Sequence, residues 1–267
     1  ARQTWMYDTT YPIPGFFAIV ATENGTTVEV TYNGNVYGGP NRGQVVNYTL
    51  NAGDILQVPS RNCSCGSMCY CDATFDLTGT KIRVTNATGH PVGVYGGHDC
   101  TFIPANVWAC DHLEEMMFPL ETWGKNFVAT YTSPYTGTTS VANMYRVVAA
   151  QDGTVVSYST NLGRANDTLN AGQYVEFITS VDFSISATKP IAVAQFMMGQ
   201  QYFTGTLTGD PAMMLLVPME QYRKSYSFTV PSSMTNNFVN IIKPVAQPGR
   251  TLNREFSELA GSRSPAA

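Results

Sequence analysis

Residues 96–119, GGHDCTFIPANVWACDHLEEMMFP, hold two of the chain's three histidines, two of its six cysteines, two adjacent glutamates and a tryptophan. Three chemistries are open to such a set. His98, Cys100, Cys110 and His112 are four ligands of the kind zinc accepts. Cys100 with His112 has the makings of a thiol nucleophile and its base. Cys100 and Cys110 can instead close a disulfide around nine residues that include the turn formers Pro104 and Asn106. The spacing speaks for the disulfide, because His-x-Cys and Cys-x-His pairs are tighter than the usual gaps of structural zinc sites. A nucleophilic role needs a reduced, exposed thiol. Glu114 and Glu115 are neighbours that point to opposite faces of a strand, so they cannot flank one substrate bond as acid and base. The chain has no Gly-x-Ser-x-Gly elbow, no His-Glu-x-x-His and no phosphate-cradling glycine loop. The stretch is therefore expected to be a clasp. It brings His98, Trp108 and His112 forward as candidate binding residues, with no catalytic residue, no metal and no cofactor.

The other cysteines lie in NCSCGSMCYC, residues 62–71. Cys-x-Cys pairs occur in thiolate metal clusters and in disulfide hairpins alike. The symmetry about residues 66–68 favours a hairpin stapled by Cys63–Cys71 and Cys65–Cys69, with other pairings open. Five Asn-x-Ser/Thr sequons, at Asn24, Asn47, Asn62, Asn86 and Asn166, accompany the even cysteine count. Together they imply a secreted glycoprotein in an oxidising compartment, the alternative being a cytosolic metalloprotein.

The elements that must position these residues come from an internal repeat. Segment 91–130 lies without a gap on 190–229, so that Pro91, Asp111, Pro119, Glu121, Trp123 and Lys125 fall on Pro190, Asp210, Pro218, Glu220, Tyr222 and Lys224. Upstream, VATENGTTV (20–28) matches VAAQDGTVV (148–156), and TLNAGD (49–54) matches TLNAGQ (168–173). The chain holds two copies of one unit, 1–124 and 125–230, followed by an incomplete third repeat and polar tail at 231–267. Alternating and β-branched runs separated by Asn-Gly, Asp-Gly and Ala-Gly turns predict an all-β fold. In unit two they predict strands near 125–131, 143–150, 154–159, 173–178, 182–187, 191–197 and 213–217. Such a set fits tandem β-sandwiches with Greek-key or jelly-roll connections, the alternative being a propeller with two blades per unit. The third repeat is expected to supply strands at 226–230 and 238–242 that lack the strands to complete their sheet.

The repeat also separates the general from the particular. Asp111 and Asp210 recur, which reads as a turn or cap role. The shared Pro-Leu/Met-Glu-x-aromatic-x-Lys stretch reads as packing with a surface ion pair. His98, Cys100, Cys110 and His112 do not recur; Met197, Gly199, Gly209 and Pro211 stand in their places. Composition narrows the function classes. Only 13% of residues are charged and the net charge is −4, which excludes a nucleic-acid partner by charge balance. No apolar run reaches the length of a membrane span. The start, ARQTWMYD, lacks the regions of a signal peptide and reads as a mature or trimmed terminus.

DLTGTKI (76–82), PVGVYGGHDC (91–100) and ACDHLEEMMFPLETWGKNFV (109–128), following TLNAGD, resemble the N-terminal domain of the IgGFc-binding protein family. The resemblance is densest over 15–130 and extends through the repeat to about 245. It implies an extracellular, non-enzymatic β module of adhesive, mucus-like or cell-surface assemblies, with immunoglobulin Fc binding attributed to the animal member. The tail after 246 departs from the pattern.

The expected function is thus a structural or adhesive interaction module of a mucus-, matrix-, filament- or surface-type assembly. Its partners would be other protein chains, copies of itself in a filament or polymer, and glycoproteins. The alternative is a domain that recognises Fc or glycan through the unit-one loop around His98 and His112.

Overall fold

The structure, a computed structural model, describes residues 13–61, 73–105, 107–132, 141–203, 209–229 and 237–243, together with the backbone of 3–4, 69–70 and 253–258. Asn62, Cys63, Cys65 and Cys71 lie outside the described residues, and Cys69 is described in its backbone alone.

The fold is all-β, and its described helical pieces are single 3-10 turns. Unit one contains β1 (Gln3–Thr4), β2 (Gly15–Ala21), β3 (Thr26–Thr31), β4 (Val45–Leu50), β5 (Ile55–Pro59), β6 (Cys69–Tyr70), β7 (Lys81–Val84), β8 (Val92–Phe102) and β9 (Cys110–Met116). β1 pairs with β6; the others build two antiparallel sheets, ordered β5-β2-β8-β9 and β4-β3-β7. Unit two contains β10 (Gly124–Ala129), β11 (Asn143–Ala149), β12 (Thr154–Tyr158), β13 (Asp167–Leu169), β14 (Tyr174–Thr179), β15 (Phe183–Phe196) and β16 (Met213–Leu215). Here β15 is shared. Its first part pairs with β10 and β12 and its second with β11 and β16, so the two layers become one curled seven-stranded sheet.

The two units match in register as well as in order. Ala21 stands opposite Val92, as Ala149 stands opposite Ile191. They differ at one corner. Six residues separate Val84, the partner of Val28, from Pro91, whereas two separate Ala187, the partner of Val156, from Pro190. The extra residues break into β7 and β8 what unit two keeps as one strand. This fusion replaces the separate strands expected at 182–187 and 191–197, and the short β13 was not expected.

Each core draws on both layers, which is what makes the unit a sandwich. In β2 the burial alternates strictly, with Phe17, Ile19 and Ala21 inward. They meet Val28, Val30 and Tyr32 of the facing layer. In unit two, Tyr145 and Val147 meet Val156, Phe183 and Ile185 in the same way. Burying one such side chain stabilises the fold by about 1.5–3 kcal/mol relative to leaving it exposed. The connections from β2 to β3 and from β11 to β12 turn on Gly25 (φ 71°) and Gly153 (φ 63°), a left-handed conformation that glycine adopts without strain.

The third repeat differs from expectation. Residues 226–229 form no strand; β17 (Phe238–Lys243) pairs instead with β18 (Asn253–Glu258), from the tail expected to fall outside the pattern. Asn240, which stands where β11 has Arg146, donates from Nδ2 to Thr130 Oγ1 (2.9 Å) and the Tyr131 carbonyl (3.1 Å), tying this hairpin to the end of β10.

A buried charged group joins the units. Arg146 projects from β11 between Asp76 of unit one (Nη1 to Oδ2, 3.2 Å) and Glu176 of unit two (Nη2 to Oε2, 2.6 Å). Its guanidinium also donates to Thr78 Oγ1 and lies 4.5 Å from the centre of the Tyr174 ring. Tyr174 donates its hydroxyl to Asp76 Oδ2 at 2.9 Å. Beside this group Gly79 meets the Gly172 backbone so closely that a Cβ on residue 79 would collide with it. Asn33 Nδ2 bridges the same contact, donating to the carbonyls of Thr78 (2.6 Å) and Gly172 (3.2 Å).

Candidate functional site

The clasp is built from an irregularity in the β8–β9 ladder. His98 pairs with Leu113, but the next pairs are Thr101 with Asp111 and Phe102 with Cys110, so β8 bulges between His98 and Thr101. A bulge re-aims the residues it contains. It brings Cys100 and Cys110 to a Cα separation of 5.2 Å, and the two are joined by a disulfide. Their sulfurs are bonded to each other, so they are not the thiolates that zinc or a nucleophile requires.

The loop inside the clasp does not project into solvent as a whole. It docks on unit two: Gly199 N–H donates to the Ile103 carbonyl and Gln201 N–H to the Trp108 carbonyl, both at 2.6 Å. Beneath it, Ile103 and Leu113 pack with Met144, Phe196 and Met198 in a small inter-unit core. Gly199 occupies the repeat position of Cys100. A Cβ there would come within 2.9 Å of the Ala109 carbonyl oxygen, so the absence of a side chain lets the loop lie flat.

The three candidate binding residues separate. His98 is buried, 1% exposed, and its Nδ1 accepts from the Cys100 N–H at 3.2 Å; it holds the bulge and does not face solvent. A hydrogen bond beside the bridge is one of the two places expected of it, but a buried ring is not open to a ligand, which removes His98 from the candidate binding residues. Trp108 is 39% exposed and rests against Phe102, with ring centres 6.0 Å apart. His112 is exposed, with Nε2 3.4 Å from Glu114 Oε2 and its ring 6.2 Å from that of Phe16.

His112 also lines an open cleft of about 450 Å³ between β9 and the segment leading into β16. Leu113, Met197, Ala212 and Met213 contribute its apolar wall, and Asp111, Glu114 and Asp210 its acidic rim. Asp111 accepts the His112 N–H at 2.6 Å from within β9, where it pairs with Thr101, and not in the turn or cap expected of it. Its partnership with Asp210 was not expected. Partial burial, and then the neighbouring Asp111 to which it is hydrogen-bonded, raise the Asp210 carboxyl above the usual carboxylate range. The repeat alignment does carry the signal, since the two aspartates occupy equivalent places, but alignment cannot say that equivalent residues touch. The other recurring acid behaves differently from the surface ion pair expected of it. Glu220 accepts from the N–H groups of Lys125 and Asn126 and from Asn126 Nδ2, so it seals the turn onto β10.

The described sequons differ in accessibility. Asn47, outward on β4, and Asn166, just before β13, are exposed. Asn24 Oδ1 accepts from Ala52 N–H, and Asn86 is engaged at both ends, accepting from Thr27 N–H and donating to the Gly25 carbonyl. Secretion from eukaryotic cells is expected to leave glycan on Asn47 and Asn166 and far less on Asn86, whose amide nitrogen already holds a turn. Peptide mapping with and without an amidase checks this, and full occupancy of Asn86 with bare Asn47 and Asn166 would reverse the order.

A family model described as IgGFc binding protein matches residues 3–264. The chain is similar to the IgGFc-binding protein of Homo sapiens, 26% identical over 215 residues, which are 79% of this chain and 4% of that protein. The chain thus spans a small fraction of its relative's length. No solved structure matches it. With the match running through both sandwich units and the clasp between them, the chain belongs to the IgGFc-binding protein family.

Proposed function

We propose that the chain is an extracellular, non-enzymatic interaction module of a mucus-, matrix- or surface-type assembly, and that it holds protein or glycoprotein partners through the face around the clasped loop. The observation that carries this is the rigid presentation of Trp108. A disulfide and two hydrogen bonds to unit two fix the loop backbone, while Trp108 stays partly open to solvent, and just past the clasp His112 lines a cleft with an apolar wall and an acidic rim. Exposed aromatics held in a fixed frame lose little entropy on binding and supply much of the energy at interfaces. The Cys100–Cys110 bridge and the exposed sequons support an oxidising, extracellular setting.

The relative's name refers to the Fc region of IgG, so Fc is the first ligand to try and its glycan the second. Immobilised chain is measured by interferometry against Fc, deglycosylated Fc and a mucin glycopeptide. Trp108→Ala is expected to weaken whichever partner binds by about tenfold or more, with the melting temperature nearly unchanged. If Fc or glycopeptide binds and Trp108→Ala binds it equally well, the site lies elsewhere. If none of the three binds, recognition of Fc and glycan is wrong for this chain.

A further inference from the structure

Besides the β1–β6 pair and the corner where β7 and β8 separate, the described strands of the two units differ at one further place. In unit two β10 lies along the first part of β15, with Asn126 opposite Ser186, Phe127 opposite Ile185 and Val128 opposite Ser184. Phe127 and Ala129 close the core there, 1% and 0% exposed. In unit one the matching sheet is β4-β3-β7, and among the described residues no strand pairs with the outer edge of β7. The core records the difference. Ile82, opposite Val30, occupies the position that Ile185, opposite Tyr158, occupies in unit two; Ile185 is buried and Ile82 only half-buried.

The chain also carries a second version of β10. Residues 223–229, RKSYSFT, follow the 3-10 turn Met219–Gln221 as β10 follows the turn Leu120–Thr122. In the repeat alignment Tyr226 falls on Phe127 and Phe228 on Ala129. These counterparts of core residues are 67% and 59% exposed, they alternate with Ser225 and Ser227, and they belong to no strand. Among the described residues, an alternating segment without a sheet and a sheet edge without its strand are thus present in one molecule.

We propose that residues 223–229 of one molecule add as an antiparallel strand to the outer edge of β7 in a second copy, taking the seat that β10 takes in unit two. The register follows from that seat: Tyr226 opposite Ile82, Ser225 opposite Arg83 and Ser227 opposite Lys81. The aromatic covers the half-buried isoleucine, and the cations of β7 face serines, so no like charges meet. Donor and acceptor surfaces lie on different parts of the molecule, so the contact is heterologous and propagates head to tail. The Arg146 group does not recur at such a joint, because Ala18 stands at the arginine's place in unit one. Strand pairing would carry the contact by itself, and the association is expected to be reversible. The inference deepens the assembly part of the proposed function and is tested on the chain alone, so its failure leaves Fc and glycan recognition standing, and theirs leaves it.

Sedimentation of the native chain over a concentration series is expected to show growing species. Ser227→Pro, which removes a strand N–H from an exposed segment, is expected to sediment as a single chain with unchanged melting temperature. A synthetic peptide of residues 221–231 in excess is expected to dissolve the native assemblies. Arg83→Cys combined with Ser225→Cys, opposite each other in the proposed register, is expected to give a non-reducing ladder, whereas each single variant gives dimers at most. A native chain that stays single up to its solubility limit overturns the proposal. So does association that survives both Ser227→Pro and the peptide, or a double-cysteine variant that forms no ladder while the native chain associates.

Discussion

Arg146→Met is expected to destabilise the chain by about 3–5 kcal/mol, because it takes a hydrogen-bonded cation away from the buried Asp76 carboxylate and from Glu176. Asp76 is 1% exposed, and its partners include the guanidinium at 3.2 Å, the Tyr174 hydroxyl at 2.9 Å and the Thr78 N–H at 2.9 Å. Burial by itself pushes the Asp76 carboxyl up. The carboxyl nevertheless lies well below the usual carboxylate range, and the Arg146 charge and the hydrogen bonds from Thr78 are among the influences that draw it down against burial. In the native protein the stabilisation linked to Asp76 is therefore present above its unfolded pKa, near 4, and is lost as pH falls toward the depressed folded value. The variant shifts this balance toward burial. With this cation gone burial weighs more, the folded pKa moves up toward or past the unfolded one, and the stability that the ionised Asp76 contributes at neutral pH shrinks or turns into a cost. Urea unfolding at pH 4, 5.5 and 7 distinguishes the two, with a native curve nearly flat over this range and a variant curve descending. Asp76→Asn combined with Arg146→Met should cost less than the sum of the single changes, since it removes both buried charges together. Asp76 belongs to unit one and Glu176 to unit two, so the variant is also expected to unfold in two steps. A loss under about 1 kcal/mol with the native pH slope would mean that water, and not Arg146, compensates Asp76.

That buried group marks where reading the sequence stopped. Strand positions were legible because alternation and turn glycines are local, and because the repeat allowed each unit to check the other. The merging of two expected strands into β15 was not, since a strand that changes sheets at a corner has the same pattern as two strands. Asp76 and Arg146 lie far apart in sequence, and their pairing is a tertiary event. A hint was present: Arg146 sits inside the apolar run of a central strand where unit one has Ala18, and a cation so placed needs an anion. The clasp was legible from loop length and turn residues. Its purpose was not, because the face that it presses onto unit two is made of Met198, Gly199 and Gln201, residues without chemistry of their own. His98 was read as a binding residue for a related reason: spacing put it near the bridge but could not show that, two residues before Cys100 in a bulged strand, its side chain turns inward, where its ring nitrogen meets the Cys100 N–H.

Removing the clasp with Cys100→Ser and Cys110→Ser is expected to cost about 3 kcal/mol, the value that chain entropy assigns to so short a loop. A calculation of unfolded-state entropy alone leaves out the docking. The loop backbone accepts the N–H groups of Gly199 and Gln201 and covers Met144, Phe196 and Met198, so release of the loop also opens the inter-unit core. Amide exchange at residues 199 and 201 should therefore accelerate far more than exchange in β11 or β12, and Trp108 should lose its fixed presentation together with any partner that it holds. Gly199→Ala separates the two effects, because it keeps the disulfide and spoils the seat, where a Cβ would lie 2.9 Å from the Ala109 carbonyl oxygen. If Gly199→Ala accelerates the same amides while the double serine variant leaves them protected, the bridge merely shortens the unfolded chain and the seat alone holds the loop. If both accelerate them, the disulfide and the glycine act on one joint: the bridge gathers the loop, and the bare backbone of unit two receives it.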